Sequence, residues 1–233
     1  MPVLKLIRKY LNLFKKYAFP TYQINPSVYD LYKTEQIKNC YEHFKKYFKN
    51  SVLLPSEKIQ EHAINLAKEK DSDENNFYIE FGVFSGTSIN FLSKKINKRI
   101  YGFDSFHGLK EDWVGTSNVK GTFDLKGQIP KLERNVVPVA GWIQDTLPKF
   151  LIEKKPKIIF VHIDVDTYET TKFILEKIKP FLVSNSIILF DELYNYEGWD
   201  VGEYKALTEV FEENEYKFVS FSIDTAQATI KIL

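Results

Sequence analysis

From residue 77 onward the chain repeats one pattern: a short apolar run closing on an acid, then an amphipathic segment, then another such run. The runs at 77–82, 99–104, 136–140, 158–164 and 186–191 are rich in Ile, Val and Phe and too short for helices. Between and after them, 86–95, 146–153, 167–179 and 202–213 carry apolar residues at helical spacing. Parallel neighbours need a crossover, so this repetition restricts the chain to an α/β fold: a doubly wound, mostly parallel sheet with helices on both faces. The ending differs. Residues 216–223 and 227–233 are two strand patterns joined by a short turn at Asp224-Thr225, which predicts an antiparallel C-terminal hairpin at the sheet edge and seven strands in all.

Before residue 70 the texture is helical. Residues 1–17 place Leu4, Ile7, Leu11 and Phe14 on one stripe with Lys5, Arg8, Lys9, Lys15 and Lys16 mostly elsewhere, a basic amphipathic helix. Charges at positions 5, 8 and 9 interrupt the apolar stretch a signal peptide needs. Packing of that stripe on the body or on a second subunit is favoured over an anionic membrane surface, and a homo-oligomer is therefore expected. Pro20 and Pro26 end the first helix, and 28–49 and 56–69 carry two more helical patterns. The polar run 71–76 then divides a helical extension, 1–70, expected to serve as dimer contact or substrate cap, from an α/β domain, 71–233.

Composition excludes several classes. With 32 Lys+Arg against 31 Asp+Glu the chain has no electrostatic footprint for nucleic acid, and no run approaches the roughly 18 to 20 apolar residues of a membrane span. The single cysteine, Cys40, rules out a disulfide framework and fits a reducing compartment, so the cytoplasm is the expected location.

Ligands of open parallel sheets bind beyond the carboxyl ends of the strands. Those ends are acidic: Glu80, Asp104, Asp164 with Asp166, and Asp191 with Glu192, while Asp145 follows the third run by a few residues. Converging carboxylates repel one another unless a cation, a donor-rich ligand or protonation relieves them. The first turn, from Glu80 to Ser88, is not the G-x-G-x-x-G dinucleotide fingerprint, since only Gly82 and Gly86 remain, and these could equally make a tight turn. Asp104 lies at about the spacing, roughly 20 residues, of a carboxylate that receives ribose hydroxyls.

Five motifs in order make the reading specific: Glu80-Phe81-Gly82-Val83; Tyr101-Gly102-Phe103-Asp104-Ser105-Phe106-His107-Gly108-Leu109; Gly141-Trp142-Ile143-Gln144-Asp145-Thr146-Leu147-Pro148; His162-Ile163-Asp164-Val165-Asp166-Thr167-Tyr168; and Asp191-Glu192. From about residue 77 to its end the chain resembles the macrocin O-methyltransferase family, a branch of the class I S-adenosylmethionine-dependent methyltransferases. The resemblance implies a Rossmann-like fold, S-adenosylmethionine, and methyl transfer to a hydroxyl, in several members a sugar hydroxyl, assisted by a divalent metal, usually magnesium. Carried over, it implies Glu80, Gly82, Ser85, Gly86 and Ser88 around the methionine part of the cofactor and Asp104 and Ser105 on its ribose. Trp142 and Asp145 would border the adenine. Asp164, Asp191 and Glu192 would bind the metal, and Asp166 would be the general base.

Elementary chemistry agrees with that assignment. Hard oxygen ligands without a His/Cys cluster favour magnesium, manganese or calcium over zinc. Period-2 alternation puts His162, Asp164 and, if the strand extends so far, Asp166 on one face, with His162 as a buried partner of the ligands. Asp166 has a structural alternative, because Asp166-Thr167-Tyr168-Glu169 resembles a capping box. Glu192 stands where some metal-using relatives have aspartate, and its longer side chain puts that ligand in question. The role of His107 stays open. Residues 106–134 are long for a connection and carry Trp113 and Phe123, consistent with a lid over the crevice or with a surface insertion. The expected protein is an O-methyltransferase of a sugar or glycoconjugate precursor. The alternatives are methylation of a non-sugar phenol or alcohol, and a catalytically silent cofactor-binding protein whose helical N-terminus binds a partner.

Overall fold

The computed structural model describes residues 26–233, so the basic helix expected at 1–17 lies outside the described residues. The chain divides into two units, Met1–Glu35 and Gln36–Leu233. The described part of the first is the opening of helix α1 (Val28–Phe48). There Asp30 N–H donates to Ser27 Oγ and Ser27 N–H donates to Asp30 Oδ2, a reciprocal cap for a helix start.

The second unit is an eight-stranded sheet. Its strands are β1 (Val52–Leu54), β2 (Asn76–Phe81), β3 (Ile100–Asp104), β4 (Val136–Ala140), β5 (Lys157–Ile163), β6 (Leu182–Phe190), β7 (Tyr216–Ser222) and β8 (Ala228–Ile232). The helices are α2 (Ser56–Lys70), α3 (Thr87–Ser93), α4 (Ile143–Lys154), α5 (Tyr168–Ile178) and α6 (Glu203–Val210). The spatial order is β1-β7-β8-β6-β5-β2-β3-β4, parallel throughout except for β8, which runs antiparallel to both β6 and β7.

Two expectations change here. The sheet has eight strands rather than seven, because Val52–Leu54 pairs in parallel with β7 as an outer edge. The hairpin is not at the edge either: β8 inserts between β6 and β7, so its backbone is bonded on both sides.

Central strands form because their side chains are buried on both faces, the normal state of a parallel strand between helix layers. In β2, Tyr78, Ile79, Glu80 and Phe81 are all buried. One face carries Ile59, Ala63, Ile64 and Ala67 of α2 with Ile89 and Leu92 of α3. The other carries Leu147 and Phe150 of α4, Ile174 and Ile178 of α5, Ala206 and Leu207 of α6, and Phe44 of α1. The high aromatic content is concentrated in this second layer, where Phe44 meets Trp199, Tyr204, Phe218 and Phe221 edge to face. Chain order reverses between β2 and β5, which places the crevice of such a sheet at their carboxyl ends.

Candidate active site

The ends of β2 and β5 meet at Gly82. Its φ is +86°, and a Cβ there would lie 1.6 Å from the carbonyl oxygen of Asp164. Only glycine lets the two chains touch while turning, and this contact closes the floor of the crevice. Two cavities open above it and share Phe84 and Asp164. The first, about 260 Å3, includes Gly82, Asp104, Ser105, Trp142, Asp164, Asp166 and Glu192 in its wall. The second, about 570 Å3, is bordered by Ser56, Ser85, Ser88, Asp191 and Gln227 among others.

The nine residues expected around a cofactor therefore divide. Gly82, Asp104, Ser105 and Trp142 line the first cavity, and Ser85 and Ser88 the second. Glu80 lines neither: it is fully buried, with Oε1 accepting from Ser88 Oγ at 2.8 Å and Oε2 3.0 Å from His162 Nδ1. It orders Ser88 and His162. Gly86 packs against Leu132, Asn90 and Pro130. Asp145 is exposed, because α4 begins at Ile143, two residues after Gly141, and turns Gln144 to the cavity instead.

Asp104 has a structural task. Its Oδ2 accepts the N–H groups of Val83 and Phe84 at 2.8 and 2.7 Å, and its Oδ1 accepts that of Phe106 at 2.7 Å. One carboxylate thus holds both loops of the first cavity, leaving a single lone-pair direction on Oδ1 for a ligand hydroxyl. Residues 106–134 lie over this cavity, contributing Leu109, Lys110, Trp113 and Phe123 to its wall. The loop is fastened where Thr167 Oγ1 donates to Glu111 Oε1 at 2.7 Å. Lys110 Nζ lies 5.6 Å from the Trp142 ring centre, a cation–π distance. His107 is exposed, 3.8 Å from Asp124, and is not part of the wall.

The acids fall into two groups. Asp164, Asp166 and Glu192 bring carboxylate oxygens within 4.8 Å of one another, and the carboxylate oxygens of Asp164 and Asp191 lie equally close to each other and to a ring nitrogen of His162. Asp191, expected as a ligand with Asp164 and Glu192, lies 3.5 Å from His162 Nε2 and accepts from Gln227 Nε2. Burial by itself would lower the pKa of His162, but the Asp191 and Glu80 carboxylates outweigh it and hold the imidazole well above its ordinary value. Burial likewise raises Asp191, and the opposing charge of His162 brings it below the usual carboxylate range. Asp164 and Glu192, by contrast, are pushed well above that range by burial and by the charge of Asp191. Asp166 is pushed up to about 7 by burial, then by Asp191 and Asp104.

Asp166 does not cap α5. Thr167 is the N-cap, but its hydroxyl donates to Glu111, lies 3.0 Å from Thr170 Oγ1 and caps no helix N–H. Asp166 is the middle of a tight three-residue turn, φ 65°, in which Thr167 N–H donates to Val165 O at 2.7 Å. A non-glycine residue in this conformation is strained, and such strain recurs where a side chain must be aimed. Strand β5 ends at Ile163, so this turn, not strand alternation, brings Asp166 to Asp164 and Glu192.

A divalent cation fits these residues. Asp164 and Glu192 offer hard oxygens beside Asp166, Glu192 Oε2 is buried without a hydrogen-bond partner, and no Lys or Arg pairs with the group among the described residues. S-adenosylmethionine fits the first cavity by its aromatic wall of Phe103 and Trp142 beside the open Asp104 lone pair and Ser105. Sequence reasoning missed Gln144, Gln227 and Glu203. The first is one helical residue from the expected one, the second was read only as a strand start, and the third only as part of a helix.

Residues 79–193 match a family described as a methyltransferase domain. No curated protein matches the sequence significantly. Among solved structures, one described as CalS11, calicheamicin methyltransferase, is 24% identical, with the match covering 89% of this chain and 94% of that chain at a TM-score of 0.60. An apo structure described as CalS11, a TDP-rhamnose 3′-O-methyltransferase of calicheamicin biosynthesis, is 22% identical, covering 89% and 96% at 0.54. At these identities the likeness is one of fold, and it agrees with the sheet described above. Among the described residues no helix is long and apolar enough to cross a membrane. Residues 79–193 thus match a methyltransferase domain, carried on a sheet whose fold is that of a solved methyltransferase.

Proposed function

We propose that this protein is an S-adenosylmethionine-dependent O-methyltransferase acting on a hydroxyl of a sugar or glycoconjugate precursor, with magnesium or a similar divalent cation and Asp166 as general base. One observation carries the reading: Asp164, Asp166 and Glu192 converge on the wall of the same cavity that holds Asp104, Ser105 and Trp142. The motif resemblance to macrocin O-methyltransferases and the likeness of fold to a TDP-rhamnose 3′-O-methyltransferase support the sugar acceptor.

Bound here, S-adenosylmethionine supplies an electrophilic methyl group and a divalent cation supplies positive charge that acidifies the acceptor hydroxyl. Asp104 and Ser105 would hold the ribose, and Trp142, Phe103 and Gln144 would enclose the adenine. Ser85 and Ser88 would receive the methionine end, Ser88 being oriented by Glu80. Asp164 and Glu192 would hold the cation. Asp166, in the ionised form that its pKa of about 7 keeps accessible, would take the acceptor proton as the oxygen–methyl bond forms and the methyl–sulfur bond breaks, leaving S-adenosylhomocysteine. The loop carrying Trp113 excludes water, and holding the reactants in line contributes several kcal/mol.

Asp166→Asn tests the base. The variant should keep S-adenosylhomocysteine and Mn2+ affinity while losing at least about 100-fold in turnover on a panel of nucleotide-sugar and phenolic acceptors. Unchanged turnover overturns the base assignment, and loss of Mn2+ binding makes Asp166 a ligand instead. Turnover of phenols alone overturns the sugar acceptor.

A further inference from the structure

We propose that Glu203 is a positioning residue for the cation site, acting through Glu192; the proposal rests on the metal-assisted reading above. Glu203 opens α6, where an acid ordinarily sits in water and complements the helix N-terminus. Here it is fully buried and turned away from its own helix. Its Oε2 accepts the main-chain N–H of Glu192 at 3.0 Å, the residue that closes β6 onto the cavity. Its other oxygen, Oε1, is enclosed without a hydrogen-bond partner, as is Oε2 of Glu192.

Enclosing a carboxylate on one hydrogen bond is unfavourable unless positive charge compensates. Among the described residues the one cationic partner in an ion pair with this group of acids is His162, and it is held between Glu80 and Asp191. The packing around Glu203 is built for this placement. Gly202 has no side chain where a Cβ would lie 2.2 Å from the hydroxyl of Tyr196, so the first turn of α6 presses directly on the loop after β6. A helix start reserved for an unpaired buried acid points to a ligand rather than to stability. Glu203 fixes the main chain that presents Glu192 and would back it with negative charge when a cation is bound, the arrangement by which outer partners of metal ligands raise affinity.

The experiment titrates the full chain with Mn2+ alone, read by electron paramagnetic resonance, for the wild type, Glu203→Gln, Glu203→Ala and Asp164→Asn. Glu203→Gln keeps an oxygen for the Glu192 N–H and removes the charge. It should weaken Mn2+ binding about 10-fold, and Glu203→Ala up to about 100-fold, with S-adenosylhomocysteine affinity unchanged in the glutamine variant. Asp164→Asn should abolish the signal. If Asp164→Asn abolishes it while both Glu203 variants stay within about twofold of wild type, the role of Glu203 alone falls. If the wild type binds no Mn2+, the metal reading falls and this proposal with it. Loss of S-adenosylhomocysteine and Mn2+ together in Glu203→Gln shows a general structural role and also overturns it. Should Glu203→Ala not fold, Glu203→Gln decides.

Discussion

The imidazole of His162 and the carboxylate of Glu80 form a fully enclosed pair on the paired central strands β5 and β2, with Nδ1 3.0 Å from Oε2. A carboxylate only accepts, so Nδ1 carries the proton and the second nitrogen faces Asp191. Removing one member of such a pair leaves a buried charge uncompensated. Glu80→Ala should therefore destabilise the fold by about 3–5 kcal/mol in urea denaturation, more than an average core truncation of its size. A loss under about 1 kcal/mol would mean that the pair is not charged.

Asp104→Asn should damage structure and binding together. The amide keeps an acceptor for Val83 and Phe84 but turns an NH2 toward the N–H of Phe106, or the reverse. A lost charged bond and an opposed donor cost about 1–3 kcal/mol. Thermal denaturation should show that loss, and calorimetry should show weaker S-adenosylhomocysteine binding.

Stability of the metal-free protein should fall as pH rises. Asp166 titrates near 3.8 in the unfolded chain and about 7 in the folded one, and Asp164 and Glu192 move in the same direction. Between those values the folded state holds the extra proton, so its advantage is complete below about pH 4 and is lost by about pH 7. Each pH unit in that window costs about 1.4 kcal/mol per proton. Mn2+ should reverse the trend, because it favours the ionised carboxylates. Midpoints from thermal scans between pH 4 and 8, with and without Mn2+, give the comparison, and parallel curves would contradict it.

Gly82→Ala is expected not to fold. The methyl would meet the Asp164 carbonyl at 1.6 Å on a backbone of φ +86°, and neither strand end can withdraw without breaking the pairing of β2 with β5. Circular dichroism of the purified variant, or its absence from the soluble fraction, is the readout.

Much of this architecture is written in local pattern. Strands β2, β3, β5 and β6 are legible because burial on both faces demands continuous apolar runs, and a parallel sheet then dictates where their acids must point. Strand β1 is not legible: three residues at an exposed edge, Val52-Leu53-Leu54, leave no periodicity between two helices. Nor is the place of β8, which depends on pairing partners far away in sequence. At the site, Asp104, Asp164 and Glu192 follow from strand ends, whereas Gln144 replaces Asp145 because each helical residue rotates the face by about 100°. The turn that aims Asp166 depends on a φ that no composition rule reports.

The edge pairing of β1 with β7 joins Val52 to Ser220. During synthesis, β1 leaves the ribosome long before its partner exists, and β8 must arrive later still to fill the slot between β6 and β7. The half of the sheet that carries Gly82, Asp104 and Asp164 can assemble from nearby chain, while the half in which β6, leading into Asp191 and Glu192, pairs with β8 waits for the last strands. The Glu192 side of the crevice is thus completed last, so nascent chains can shape the Asp104 side before Asp191 and Glu192 are in place.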